Sequence, residues 1–258
     1  MIELLKTDKT FFRNNGYIIK NSLSKNSEFD KLSNDFKFEL QNILSEKKHI
    51  NLGGYKSGNL NIYPGRYAHE ILFILNSINF KNYFEFLIDE KLDNYEIIYG
   101  GNLNFVNSKK QFFHTDGNWN PRMIVLNIAT SEINMKNGPL ELVEKSHLER
   151  MNYLKFILKS SSFTKKKITL NKGDILIREH RLWHRGTKNL SNKHREMIGI
   201  AFLFNNNKKE NKILDKKIYL HQNIFGNSKK EKFKEFIFLK LKFLLFFYKI
   251  FISIKKKI

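Results

Sequence analysis

The stretch that most restricts the fold of this chain runs from Tyr95 to Phe204, where short apolar segments follow one another with turn residues between them. YEIIYGGNLNFV, QFFHTDGNW, RMIVLNIAT, GPLELVEKS, KKITLNKGDILIRE, LWHRGT and EMIGIAFLF each span roughly 5–12 residues and are bounded by Gly, Asn, Lys or Pro. Only Met151 to Ser160 breaks the series. Such a run argues against alternating strand–helix units and predicts an all-β sandwich or barrel. Ahead of it, residues 1–94 read as mainly helical, with one short strand after Gly16. Phe29, Leu32, Phe36, Leu40 and Ile43 fall three and four apart, as one helix face requires, and apolar Ile71, Leu72, Leu75, Ile78 and Phe84 resume that period over 67–93. The expectation is a mainly β fold with flanking helices: a jelly-roll core over 95–205 and one domain ending near residue 227.

Composition narrows the chemistry. A chain of 258 residues with 41% hydrophobic content can bury one full core. Cysteine is absent. That removes disulfides, thiolate nucleophiles and sulfur-based zinc sites, so any metal must be held by His, Asp or Glu. The formal charge of +21 invites a nucleic-acid reading. However, Lys, Asn, Ile and Phe are raised along the whole chain, and no zinc finger, helix-turn-helix or RNA-binding signature accompanies them. The charge is read as a Lys-rich solvated surface, and nucleic acid is not the expected partner. The N-terminus lacks an apolar core with a small-residue cleavage site, which fits a cytoplasmic protein.

The sharpest local feature is Gln111-Phe112-Phe113-His114-Thr115-Asp116-Gly117. On a strand, His114 and Asp116 point to the same side and can meet one cation. A His-x-Asp pair alone is a weak signal. Seventy residues later (114 to 184), Leu182-Trp183-His184-Arg185-Gly186 offers a third ligand, His184. Two histidines and one carboxylate form the facial triad of non-haem Fe(II) oxygenases, which leaves coordination positions open for reactants. Eleven residues after His184, Arg195 begins the next apolar strand. Antiparallel pairing would return its guanidinium to the pocket, where a planar fork suits a terminal carboxylate.

Taken together, these segments resemble the phytanoyl-CoA dioxygenase family of Fe(II)/2-oxoglutarate oxygenases. The resemblance runs over most of residues 8 to 205, through FFRNNGYIIKNSL, QFFHTDGNW, Asn137-Gly138-Pro139-Leu140-Glu141-Leu142-Val143 with Ser146-His147, GDILI and WHRGTKNLSNKHR. It implies a double-stranded β-helix (cupin-like) core, with Fe(II) on His114, Asp116 and His184, and 2-oxoglutarate and O₂ as co-substrates. Arg195 would clamp the distal carboxylate of 2-oxoglutarate, with Asn104 and Gln111 close to that co-substrate. Two departures stand out. Lys145 replaces the Gly that many members carry before Ser-His, and Gly186 replaces a hydroxyl residue, which makes neighbouring Thr187 a candidate for that contact. Retention of Asp116 favours hydroxylation, since halogenating relatives put a small residue there.

Substrate is less legible. Asn59, Asn61, Asn102, Trp119, Arg122 and His180 are candidates for lining a polar substrate pocket. Residues 228–258 form a separate basic, aromatic-rich segment, expected to be one helix. Lys240, Lys242 and Lys249 interrupt it, so it is too short in apolar length to span a bilayer. It could lie on the inner face of a membrane, or pack on the domain or a partner. Membrane contact would favour a glycan or lipid-linked substrate over another small molecule. Two rivals share the barrel: a metal-dependent sugar isomerase or epimerase, which gives no reason for Arg195, and a silent binding module, which should have lost a ligand.

Overall fold

The computed structural model describes residues 5–91, 95–204 and 216–255. The helices ahead of the sheets form where the apolar spacing requires. Helix α1 (Lys6–Asn15) closes at Gly16, whose φ of 82° lets its N–H return to Phe12 O. Helix α2 (Ser27–Ser45) starts where the Asn26 side chain accepts the Phe29 N–H at 2.8 Å. It buries Phe29, Leu32, Phe36 and Leu40. The period expected over 67–93 is split into α3 (Arg66–Ser77) and α4 (Phe80–Ile88), because Asn79 takes a left-handed φ of 62° between them.

Seven strands form the larger sheet in the order β1-β7-β4-β9-β3-β2-β10, and three form the smaller, β6-β5-β8. They are β1 (Tyr17–Asn21), β2 (Asn59–Tyr63), β3 (Tyr95–Asn104), β4 (Met123–Ile128), β5 (Leu140–Val143), β6 (Lys165–Ile168), β7 (Asp174–Glu179), β8 (His184–Gly186), β9 (Arg195–Phe204) and β10 (Tyr219–His221). Each pairing is antiparallel, as a jelly roll requires. Strands β1 and β2 come from before residue 95 and β10 from after 205, so the sheet draws on chain outside the span expected for it. Helix α5 (Tyr153–Lys159) is the one expected interruption between β5 and β6.

Period-two alternation places the site. Ile198, Ile200 and Phe202 of β9 join the core against α1–α4, where Phe202 meets the Phe84 ring at 4.8 Å. Met197, Gly199 and Ala201 therefore face the interior between the sheets.

The ligand segment QFFHTDGNW is not the strand expected. Only His114 pairs, in an isolated antiparallel bridge to His184. The Asp116 N–H goes to His180 O at 3.0 Å, and Gly117 turns at a φ of 68°. The segment thus stands beside β8 as a one-residue remnant of a further strand in the smaller sheet.

The C-terminal segment is two helices rather than one, α6 (Lys229–Lys240) and α7 (Lys242–Lys255), broken at Leu241; residues 256–258 lie outside the described chain. Both helices pack on the domain. Glu235 accepts the Ser57 N–H at 2.8 Å, and Phe238 sits against Phe112 and Phe225 at 5.4 and 5.5 Å. The Ser253 hydroxyl accepts the Leu154 N–H at 3.2 Å. Among the described residues no helix is long and apolar enough to cross a membrane. If the tail is part of the cooperative unit, Phe238→Ala costs about 3–5 kcal/mol in urea unfolding. A loss below about 1 kcal/mol would mean that the tail docks without sharing the core's stability.

Candidate metal centre

His114 and His184 are brought together by backbone before side chain. His114 N donates to His184 O and His184 N to His114 O, each at 2.9 Å. The two rings lie 4.5 Å apart between centroids. Each ring is then aimed by a contact with the carbonyl two residues back: His114 Nδ1 lies 2.9 Å from Phe112 O, and His184 Nδ1 2.9 Å from Leu182 O. With Nδ1 carrying the proton, both Nε2 atoms keep a lone pair for a metal.

Asp116 completes the cluster. The ligating atoms of His114, Asp116 and His184 all lie within 4.8 Å of one another. Asp116 Oδ1 is 3.5 Å from His184 Nε2, while Oδ2 accepts from Arg178 Nη2 at 2.6 Å. One carboxylate oxygen is thereby tied back, and the other faces the imidazoles. Arg178 also donates through Nε to Asn127 Oδ1 at 2.9 Å.

The charge states suit a cation. Burial, followed by the nearby Arg178 charge, pushes the His184 pKa down to about 3, and burial lowers His114 as well. Although burial opposes it, the Arg178 guanidinium, by its charge and its hydrogen bond, holds the Asp116 carboxyl well below the usual carboxylate range. The centre therefore presents two neutral imidazoles and an ionised carboxylate at neutral pH.

A cavity of about 340 Å³ opens onto this cluster. Of the sequence-predicted residues, His114, Asp116, His184, Gln111, Asn102 and Asn61 line it. Arg195 stands behind Asn102 and is 1% exposed. It donates to Asn102 Oδ1 at 3.1 Å and to Gly138 O at 2.9 Å, and its Nε has no partner among the described residues. Burial lowers its pKa to about 10, so it remains a cation. Gly138 holds a φ of 84°, and a Cβ there would meet the Asn104 amide at 2.6 Å.

Gln111 explains the missing hydroxyl residue. Its Oε1 accepts the Gly186 N–H at 2.9 Å, and a Cβ at Gly186 would press on that oxygen at 3.1 Å. The Thr187 hydroxyl donates instead to Pro139 O at 2.7 Å, and Asn104 donates to Thr187 O at 3.1 Å. Neither lines the cavity.

The other predicted residues are placed elsewhere. Asn59 is buried and donates to Ser57 O and Lys109 O, tying loop to strand. Arg122 bonds to Glu179, Glu90 and Ile88 O, an ion-pair cluster away from the cavity. The His180 ring is held between Met123 and Asn118, and Trp119 lies under Arg181; both line a second hollow of about 270 Å³ beyond the ligand loop. Sequence reasoning missed Arg178 and Asn127. The signal was available: Arg178 directly follows the apolar run Ile175-Leu176-Ile177 of β7.

Depressed histidine pKa values make a pH prediction for the metal-free protein. The unfolded His184 takes a proton near 6.5, while the folded one resists to about 3. Its contribution is therefore fully present above 6.5 and is lost as pH falls from there toward 3. Thermal melting should decline as pH falls from about 6.5 through the acid range, with His184→Gln flattening the slope. A wild-type melting temperature unchanged down to about pH 4.5 would contradict this assignment.

No curated protein sequence matches the chain. Among solved structures, AviO1 from Streptomyces viridochromogenes Tue57 is 14% identical, with 81% of this chain and 99% of that chain covered at a TM-score of 0.61. The non-heme alpha ketoglutarate dependent carbocyclase SnoK from nogalamycin biosynthesis is 14% identical, covering 86% and 88% at 0.59. EctD from S. alaskensis with bound Fe is 14% identical, covering 80% and 79% at 0.59. At such identity these likenesses establish the jelly-roll fold. In the sequence, residues 106–197, which hold His114, Asp116, His184 and Arg195, match the model for phytanoyl-CoA dioxygenase (PhyH).

Proposed function

We propose that this protein is an Fe(II)/2-oxoglutarate-dependent dioxygenase that hydroxylates a C–H bond of a small-molecule, glycan or lipid-linked substrate. The observation that carries it is one cavity wall bearing two imidazole Nε2 atoms and a carboxylate oxygen, with a buried guanidinium behind it that has no carboxylate partner among the described residues.

The donor set fits the group. Two neutral imidazoles and one carboxylate suit Fe(II), whereas a closed structural site would want a fourth protein ligand. The unsatisfied Arg195 Nε and Asn104 Oδ1 are buried polar atoms of the kind that a bound co-substrate would satisfy. Bound there, Fe(II) with 2-oxoglutarate and O₂ supplies the oxidising chemistry, with succinate and CO₂ released. The chain's own work is positioning. His114 and His184 are held by their Nδ1 contacts, Asp116 by Arg178, and Arg195 is oriented by Asn102 and Gly138 O to take the far carboxylate. Met123, Val125, Leu140, Met197 and Ala201 line the cavity and keep it dry.

The relatives support the reading without fixing the substrate: one is described as alpha ketoglutarate dependent and another as having bound Fe. Anaerobic loading with Fe(II) and 2-oxoglutarate, then O₂, should yield succinate. His114→Ala, Asp116→Ala or His184→Ala should lower the yield by more than about a hundredfold, and Arg195→Gln should raise the 2-oxoglutarate requirement about tenfold or more. Turnover that survives the ligand changes would remove the assignment. Turnover of a sugar without O₂ would favour the isomerase, and failure to bind Fe(II) the silent module.

The tail is read as a peripheral membrane contact. Its inner face is spent on the domain, yet Phe233, Phe236, Phe243, Leu244, Phe247 and Ile254 remain exposed beside exposed Lys229, Lys230, Lys232 and Lys240. Apolar side chains entering the headgroup region, with lysines on anionic phosphates, match that surface. Lys249 of α7 lies 4.9 Å from the Phe112 ring, two residues before His114, so the ligand segment sits beside it. Wild-type protein should float with vesicles containing phosphatidylglycerol. The outward-facing double variant Phe243→Ser, Phe247→Ser should bind at least about tenfold more weakly. Equal partition of the two proteins would refute the membrane contact.

A further inference from the structure

Arg178 has a feature that its role beside Asp116 leaves unexplained. It is 5% exposed and lines the metal cavity, yet its Nη1 has no hydrogen-bond partner among the described residues. The other donors are fixed, Nη2 on Asp116 Oδ2 and Nε on Asn127 Oδ1. The guanidinium is therefore locked in plane with one N–H edge unsatisfied, and a buried guanidinium donor is rarely left so.

The register shows where space lies beside it. Arg178 pairs with Val125, Val125 with Ala201 and Ala201 with Ile98, making one row across the larger sheet. The next row runs Asn127, Gly199, Gly100. Asn127 and the two glycines line the same cavity of about 340 Å³ as Arg178. Ligand-sized room thus adjoins the locked guanidinium.

Charge bookkeeping points to what fills it. The ionisable side chains on the cavity wall are His114, Asp116, Arg178 and His184. With both imidazoles neutral, Arg178 balances Asp116, and Arg195 behind them adds one positive charge. Fe(II) and 2-oxoglutarate, two charges each, cancel. One positive charge remains enclosed, which is costly in a dry cavity unless an anion joins it.

On the reading proposed above, we infer that Arg178 is a substrate-anchoring residue, and that the substrate carries an acidic oxygen group, carboxylate or phosphate, which its Nη1 edge receives. The anion is distinct from 2-oxoglutarate, whose far carboxylate belongs to Arg195.

The test uses full-length protein loaded anaerobically with Fe(II) and 2-oxoglutarate, titrated with acetate and with methyl phosphate. Calorimetry reads uptake, and the visible charge-transfer absorption of the loaded centre reports loading. At least one probe should bind saturably to wild type, and about tenfold or more weakly to Arg178→Gln. The affinity for 2-oxoglutarate should fall less in Arg178→Gln than in Arg195→Gln. In the loaded protein the metal answers Asp116, so Arg178→Gln does not strand that carboxylate. Arg178→Lys keeps the charge but loses the fork, and should fold and bind the probe more weakly than wild type. Several results overturn the inference: no saturable uptake of either probe, uptake that neither Arg178 variant weakens, or loss of 2-oxoglutarate affinity in Arg178→Gln equal to that in Arg195→Gln. Failure of the wild type to load at all would instead strike the oxygenase reading.

Discussion

Two backbone hydrogen bonds, His114 N to His184 O and the reverse, join segments seventy residues apart (114 to 184), and the rest of the site follows from them. Reciprocal bonds of this kind occur at one pair position of an antiparallel ladder, so they fix register as well as proximity. With that register set, the two imidazoles face one cavity, each oriented by its own nearby carbonyl. A slip of one residue would turn His184 away and bring Arg185 inward. The Glu141 carboxylate guards against that, because it holds the Arg185 guanidinium in an ion pair on the outer face.

The second constraint is electrostatic. Asp116 cannot be ionised within the barrel without a compensating cation, and Arg178 supplies one even before any metal arrives. The same pair divides the labour of the carboxylate, one oxygen tied back and one left for a metal. Among the described residues Arg195 has no such answer: it is buried with amide and carbonyl acceptors. On the proposed function, that charge would meet the far carboxylate of the dianionic co-substrate.

Much of this was legible in the sequence, for physical reasons. Strand alternation in EMIGIAFLF separates the helix-facing Ile198, Ile200 and Phe202 from the inward Met197, Gly199 and Ala201, and it carries Arg195 inward with the latter set. His114, Asp116 and His184 are residue types with few alternatives in a chain free of cysteine. What was not legible depended on tertiary context. The ligand segment reads as a strand but forms a ladder pair only at His114, since the Gln111 N–H reaches Gly186 O and the Asp116 N–H turns away to His180 O. Arg122 and His180 looked like pocket residues, but their polar atoms are consumed by neighbours that periodicity does not reveal. The tail reads as one helix because no Gly or Pro interrupts it, yet it bends at Leu241 to lay Phe238 and Leu245 on the domain.

On the proposed function, one interior surface binds Fe(II) and 2-oxoglutarate together. The most direct measurement is a crystal structure of the protein loaded with both under anaerobic conditions. Metal is expected on His114 Nε2, Asp116 Oδ1 and His184 Nε2, with the far carboxylate of 2-oxoglutarate on Arg195 and Arg178 still bound to Asp116 Oδ2. Metal at another cluster, or that carboxylate on Arg178 with Arg195 left unpaired, would contradict it.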